Sequence, residues 1–491
     1  MAKSKLLAMG AAGVLAASAL LGGTAQAKYD PLSLKPSYNG TNLFKAIIGG
    51  NIYLEFRPRY EYVNDSAPTG PGGTGLKEAN ALTLRSVLGY QTGRWYGFGI
   101  YGKFLNVSHL AGQAFNEPVT NPNPEYATVA DPATTQIQEA YVSYRVPANL
   151  YPNGPAYLDE LAPAELKFGR QVITLQNHRW IGNVVWRQVW LTYDGFSANY
   201  ELPGGGHLFY AHLYNANRPP SANARADKGF PPNTGDVGFQ TDLINLEFDL
   251  ERWIGAPTNL VGYAYLIDFD NNDNVLVVGT VPQIANSSEA SNKTFGVRLK
   301  GEIPFTSNED GLGLLYLGEF ANQSNYAGGS SVIEANYYKG VLGLGGYGVK
   351  LTANYEILGT NGGEYSVQTP FDTAFAMNGW ADRIPSTGGP PIGLVDAWVQ
   401  ADATSPDSWG PVFSGLFMTA RYHDFRSDRG DIKYGQEFDF RVTKAIAENI
   451  TLLAQYAIYW GDDEAATSPA LTGLNLDQDI QKAWLMGTFK F

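Results

Sequence analysis

The chain has no cysteine among its 491 residues. That excludes disulfide staples, thiol nucleophiles and cysteine metal centres. Histidine is scarce, with five in all (His109, His178, His207, His212, His423). No His-x-x-x-His pair is present, so zinc chemistry has no ligand set. His207 and His212 are five apart and would face opposite sides of a strand. Basic excess is missing too: the formal net charge is −13, the wrong sign for a nucleic-acid surface. Beyond the N-terminus there is no run of about eighteen apolar residues, the length a spanning helix needs. Mean hydropathy is −0.20, which a hydropathy scan would score as water-soluble. A transmembrane β-barrel escapes that scan, because half of each strand is polar.

The two ends of the chain fit that second possibility. Lys3 and Lys5 precede an apolar stretch, Leu6 to Leu21, and then Ala25-Gln26-Ala27. This is the layout of a secretory signal peptide over residues 1–27, cleaved after Ala27, with residues 28–491 as one barrel domain. At the other end, Ala483, Leu485, Gly487, Phe489 and Phe491 alternate with Trp484, Met486, Thr488 and Lys490. Period two puts the two sets on opposite faces of a strand, one of them suited to lipid.

Between the ends lie about eighteen alternating segments separated by Gly, Pro, Asn and Asp clusters. They fall near 50–62, 80–91, 94–107, 135–146, 164–172, 188–200, 206–216, 237–251, 258–268, 292–303, 311–322, 332–340, 346–358, 392–401, 411–425, 432–443, 449–460 and 480–491. Glycine (56), tyrosine (30) and tryptophan (10) supply turns and interfacial girdles. Connections after even-numbered segments are short, such as Thr92-Gly93 and Leu342 to Gly345. Those after odd-numbered segments are mostly long, such as 108–134, 217–236 and 359–391. Short periplasmic turns and long outer loops sort in this way. Residues 147–163 break the pattern: either they form a periplasmic insertion or the fourth segment is misplaced. The fold class is therefore all-β: a single antiparallel transmembrane barrel of the outer-membrane type, in the cell outer membrane of a Gram-negative bacterium.

Charge on a lipid-facing position is costly, so the charged members of each alternating segment should face the lumen. That set holds Arg57, Arg59, Arg85, Arg145, Lys167, Arg298, Lys300, Lys350, Arg421 and Arg441. Its acidic counterpart holds Glu55, Glu139, Glu247, Asp249, Glu302, Glu356, Glu437 and Asp439. Rings of Arg and Lys suit the passage of anions; the same ions could instead pair across strands and brace the wall.

The densest cluster runs from Phe168-Gly169-Arg170-Gln171 through Asn177-His178-Arg179-Trp180-Ile181-Gly182 to Trp186-Arg187-Gln188. Guanidinium groups bind carboxylates in bidentate fashion, and indole faces offer flat platforms for sugar rings. A folded-in loop whose arginines bond loop carbonyls is the competing reading. Period two places Arg170 with Leu166 and Phe168, so only a bend at Gly169 would turn it inward.

Gly169-Arg170-Gln171, Asn177-x-Arg179-x-x-Gly182 and Trp186-Arg187-Gln188 resemble the alginate-export family of outer-membrane proteins. Two further stretches agree: Thr369-Pro370 with Asn378-Gly379-Trp380-Ala381-Asp382 and Asp396, and Tyr422-His423-Asp424-Phe425 with Tyr434-Gly435-Gln436-Glu437-Phe438-Asp439. The resemblance implies a single-chain barrel exporting an anionic polysaccharide through an arginine-lined constriction, fed by periplasmic secretion-complex proteins. It implies a monomer without cofactor or catalysis. It places Arg170, Arg179 and Arg187 near the constriction with Trp186; in a channel of this kind the outer loops 173–187 and 359–391 would act as lids. Three other readings stay open: a porin for uptake of small solutes or oligosaccharides, a hydrolase using His423 and Asp424, and a plugged adhesion barrel. Asp268-x-Asp270-x-Asn272-Asp273 resembles the start of a calcium loop but lacks the Gly and Glu that an EF-hand needs.

Overall fold

The computed structural model describes residues 38–68, 75–146, 164–202, 205–272, 284–306, 311–385 and 387–491. The signal-peptide reading (1–27), the insertion at 147–163 and Asp273 of the calcium-like run lie outside these residues.

Eighteen strands form the wall: β1 Asn51–Asp65, β2 Ala79–Gln91, β3 Phe98–Ala114, β4 Thr134–Arg145, β5 Glu165–Gln171, β6 Thr192–Leu202, β7 Gly206–Asn217, β8 Asp236–Asp249 and β9 Thr258–Phe269. They continue with β10 Asn292–Pro304, β11 Gly313–Asn325, β12 Glu334–Gly346, β13 Val349–Leu358, β14 Leu394–Thr404, β15 Phe417–Arg426, β16 Lys433–Ala447, β17 Ile450–Gly461 and β18 Ile480–Lys490. Each pairs antiparallel with the next. β18 returns to β1 in a register that runs from Glu55↔Lys490 to Asp65↔Ile480. Closure removes both sheet edges, which a bilayer would not tolerate. Phe491 completes the seam by exchanging backbone bonds with Leu54, at 2.9 and 2.8 Å.

Every predicted segment has its strand. The largest shifts are in β3, which runs on to Ala114, in β12, which runs on to Gly346 through the expected turn at Leu342 to Gly345, and in β15, where residues 410–413 form a short helix before the strand begins. The alternation does what period two requires. In β10, Phe295, Val297 and Leu299 stand exposed on the outside while Arg298 is buried within the bore. Turns as short as 347–348 and 448–449 mark one end of the barrel, the periplasmic end by the usual rule.

Two long connections turn into the bore. One joins β5 to β6 (172–191); the other joins β13 to β14 (359–393). Their side chains Trp180, Ile181, Phe371, Phe375 and Trp380 are buried with wall residues Tyr265, Tyr337, Phe425 and Trp484 in one apolar cluster. Burial of each such ring is worth roughly 1.5–3 kcal/mol, so the loops are a packed core and not a loose cover.

Candidate functional site

The two loops meet at close quarters. The Gly182 amide donates to the Phe371 carbonyl at 2.7 Å, and the Thr373 amide to that of His178 at 3.0 Å. A Cβ at Gly182 would lie 2.6 Å from the Thr373 nitrogen, so a side chain there would push the loops apart. Gly379 has φ +87°, and a Cβ would fall 2.4 Å from the Glu437 carboxylate. That carboxylate receives the amides of Trp380 and, at 2.8 Å, Ala381.

Wall arginines hold the first loop by its carbonyls. Arg57 donates to Val185 at 2.9 Å and Trp186 at 3.0 Å, and Arg59 donates to Trp186 at 2.5 Å. Loop arginines reach the other way, to wall and loop carboxylates. Arg179 is fully buried and binds Glu356 through Nη2 at 2.5 Å and Nε at 3.1 Å. It also reaches Asp372 at 3.4 Å and Asn378 at 3.1 Å. Arg187 bridges Glu61 at 3.2 Å and Asp382 at 3.0 Å, and Lys482 joins the same Asp382 at 3.2 Å. Burial pushes the Asp372 carboxyl up to about 7 against the pull of Arg179. Burial, with Arg298 nearby, takes the His178 imidazole down to about 4 and keeps it neutral.

Beneath this roof, toward the short-turn end, lies a vestibule of about 1130 Å³. The roof side carries Asn177, His178, Trp186, Trp190, Phe375 and Met377. Arg57, Arg85, Lys350, Arg421, Arg441 and Lys490 line one arc together with Glu55, the partner of Arg85, while Arg298 and Lys300 lie across the bore on β10. Acidic side chains, Glu201, Glu247, Asp249, Glu251 and Glu302, gather on the arc formed by β6 to β10, near the turns. Arg421 and Arg441 are set apart by an aromatic contact. Their guanidinium carbons lie 4.7 and 4.2 Å from the ring centroid of Trp380. Arg441 also bonds Gln455 at 2.6 Å. Among the described residues neither forms an ion pair within 4.0 Å, and Asp402 and Asp439 are the nearby acidic groups. Two guanidinium groups held against the buried Trp380 ring and not tied up in a direct ion pair are suited to an incoming anion.

The predicted residues therefore separate into groups. Arg85, Arg298, Lys300, Lys350, Arg421, Arg441, Trp186 and Glu139 line the vestibule. Glu139 pairs there with Lys103 at 2.7 Å. Arg179 and Arg187 do not line it; they are spent as clamps between loop and wall, which corrects their placement at the solute path. Glu437 is likewise a loop cap. Asp439 is buried beneath the same loop, 3.8 Å from His423 Nε2. Arg145 is exposed at the short-turn end of β4. Arg170 is a clear correction. Gly169 does take φ +127°, but the strand keeps its alternation. Gln171 is buried against Ser197, Phe168 is 61 % exposed on the outside, and Arg170 shares that outer face, paired with Asp194 at 2.8 Å. The hydrolase pair also separates: His423 points inward, its Nδ1 2.8 Å from Asp396, whereas Asp424 faces outward and pairs with Arg426.

Sequence reading overlooked Lys339, which lies 4.9 Å from the Trp398 ring and 3.3 Å from Glu356. Its alternation with Tyr338 was the available signal. The roles of Phe375 and Met377 had no local signal.

The family model described as alginate export matches residues 55–218, which bears out the resemblance read from the 169–188 motifs. The stretches at 369–396 and 422–439 lie beyond that range. No curated protein matches the chain. Among solved structures, OccK9 (OpdG) of Pseudomonas aeruginosa is similar at TM-score 0.59 and 12 % identity, covering 91 % of this chain and 99 % of that one. OccAB3 of Acinetobacter baumannii gives TM-score 0.60 at 13 % identity, with 91 % and 100 % covered. OpdK of Pseudomonas aeruginosa, solved with vanillate, gives 0.59 at 11 %, with 90 % and 98 % covered. At these identities the likeness is one of fold, a porin-like outer-membrane barrel.

Proposed function

With the alginate-export match over residues 55–218 as premise, we propose that this protein is an outer-membrane channel for an anionic polysaccharide of the polyuronate type. Export is passive, and periplasmic secretion proteins deliver the polymer to the short-turn end. The observation that carries this reading is the position of Arg421 and Arg441, which line the vestibule, lie over the buried Trp380 ring and form no ion pair within 4.0 Å among the described residues. There they can take the place of water around a carboxylate. Contacts must stay weak and repeated for a chain to keep sliding. The two inward loops then serve as the gate, held by Arg179 and Arg187.

A second reading is uptake of small anions. Leu315, Leu317, Val341, Trp398 and Met486 line the same vestibule, an apolar surface that suits a compact amphiphilic carboxylate. The similar barrel solved with vanillate supports this alternative. Block of single channels in planar bilayers separates the two. Polyuronate oligomers should interrupt current at lower concentration than vanillate-sized carboxylates, and neutral maltodextrins of equal length should be weakest. Stronger block by the neutral sugars would overturn both readings.

A further inference from the structure

Large apolar side chains in the connections are confined to one end of the barrel. At the short-turn end Trp95, Trp253, Phe305, Tyr347 and Trp409 stand exposed on the turns. At the long-loop end Val185 is the only exposed large apolar side chain of a connection among the described residues, and it lines the vestibule. Two short helices concentrate the asymmetry. Helix Leu43–Ile48 leads into β1; Leu43, Phe44, Ile47 and Ile48 are exposed, Phe44 by 69 %, and Ala46 is buried. Helix Gly410–Phe413, between β14 and β15, exposes Val412 by 67 % together with Phe413.

Both helices hang on the outer side of the wall. On β2, Tyr90 shares the outward face with Leu88, and its hydroxyl donates to the Ile47 carbonyl. The Trp95 indole donates to the Thr41 carbonyl at 3.0 Å. A Cβ at Gly50 would lie 2.3 Å from the Tyr90 hydroxyl, so glycine is what lets the chain pass that ring between helix and strand. On β16, Lys444 follows Phe438, Phe440 and Val442 on the outward face. Its ammonium donates to the carbonyls of Pro411 at 2.8 Å, Val412 at 2.6 Å and Ser414 at 3.0 Å. The last carbonyls of a helix have no partner within it, and this lysine supplies one from the lipid side of the wall. Between the two helices lies the closing seam, where Phe491 is exposed beside Leu54.

We propose that helices Leu43–Ile48 and Gly410–Phe413 are feet resting in the headgroup boundary of the inner phospholipid leaflet, on either side of the seam. Their side chains adjoin the face that Ile52, Leu88 and Phe440 already present to lipid. A short helix with an apolar face settles at the headgroup–acyl boundary, the level that exposed Trp and Tyr also favour. Lys45, exposed on the first helix, can extend to the phosphates. A periplasmic protein would have to reach round the rim onto the lipid side of the wall to cover the same groups. The inference does not depend on which solute the channel carries.

The absence of native cysteine makes the test direct. Single-cysteine proteins Phe44→Cys, Ile48→Cys and Val412→Cys carry an environment-sensitive fluorophore and are folded into phospholipid vesicles, each verified by heat-modifiable migration. Ala466→Cys at the long-loop end reports water, and Phe320→Cys on β11 reports the lipid-facing wall. Phospholipid spin-labelled near the headgroup should quench the three foot positions several-fold more than it quenches Ala466→Cys. Aqueous iodide should quench them several-fold less. Adding Lys444→Gln should raise iodide quenching at Val412→Cys and leave Phe44→Cys unchanged. The proposal is overturned if the foot positions are as open to iodide as Ala466→Cys, or if Lys444→Gln leaves Val412→Cys as it was. It is equally overturned if they are shielded in native outer membranes but open in pure phospholipid, which would assign the cover to a protein.

Discussion

The indole of Trp186 lies flat on the ring of Phe375, with centroids 4.0 Å apart and planes within 4° of parallel. One ring comes from the β5–β6 loop, the other from the β13–β14 loop, and Trp484 of the closing strand meets both edge-on. The two loops thus form one body, and disturbing either should be felt in both. Trp186 is partly buried, so truncating it should cost somewhat less than the roughly 3–5 kcal/mol of a fully buried Trp. Trp186→Ala should therefore keep a folded barrel, judged by heat-modifiable migration, but show frequent current fluctuations in bilayer recordings. A channel as quiet as wild type would count against a jointly packed roof.

Arg179 depends on Glu356 in the same way. Removing one partner of a buried pair costs about 3–5 kcal/mol because the other charge is left stranded. Glu356→Ala should open the 172–191 loop to limited proteolysis in detergent, whereas Glu356→Gln, which can still accept from Arg179, should be cut more slowly. Equal resistance of Glu356→Ala and wild type would show that the clamp does not hold the loop.

The anion contacts can be separated from the clamps. Hydrogen bonds to charged groups are worth about 1.5–3 kcal/mol. Arg421→Gln and Arg441→Gln should each weaken polyuronate block by roughly tenfold or more, read as the half-blocking concentration. Arg170→Gln should leave block unchanged, since that side chain is on the outer wall.

Asp372 brings a pH dependence. Its carboxyl is raised from 3.8 to about 7 by burial in the closed roof. The closed state thus binds the proton more tightly than an open, solvated loop. The resulting stabilisation is complete below about pH 4 and is lost as pH rises through 7. Open probability should rise between pH 5 and pH 8, and Asp372→Asn should flatten the profile. A fall in opening over that range would contradict the assignment.

The wall was legible because each strand has one apolar face and one polar face. Phe295 and Arg298 could be sorted by parity alone, and all eighteen strands followed. Parity was also right about Arg170, and the family motif was the poorer guide there. What could not be read was the path of the loops. Gly182 is needed because Thr373 passes 2.6 Å from where its Cβ would be, yet these positions are far apart in the chain and share no local pattern. The partners of Arg179 and Arg187 were hidden for the same reason: Glu356, Glu61 and Asp382 come from distant elements. A local cluster of arginines marked an important segment without revealing whether it faced solute, wall or lipid.

Ion selectivity tests the anion-channel reading most directly. In a planar bilayer with a potassium chloride gradient, the reversal potential should carry the sign of chloride preference, and it should move toward potassium when Arg421→Gln and Arg441→Gln are combined. A wild-type channel that prefers potassium, or a folded barrel that conducts nothing, would contradict it.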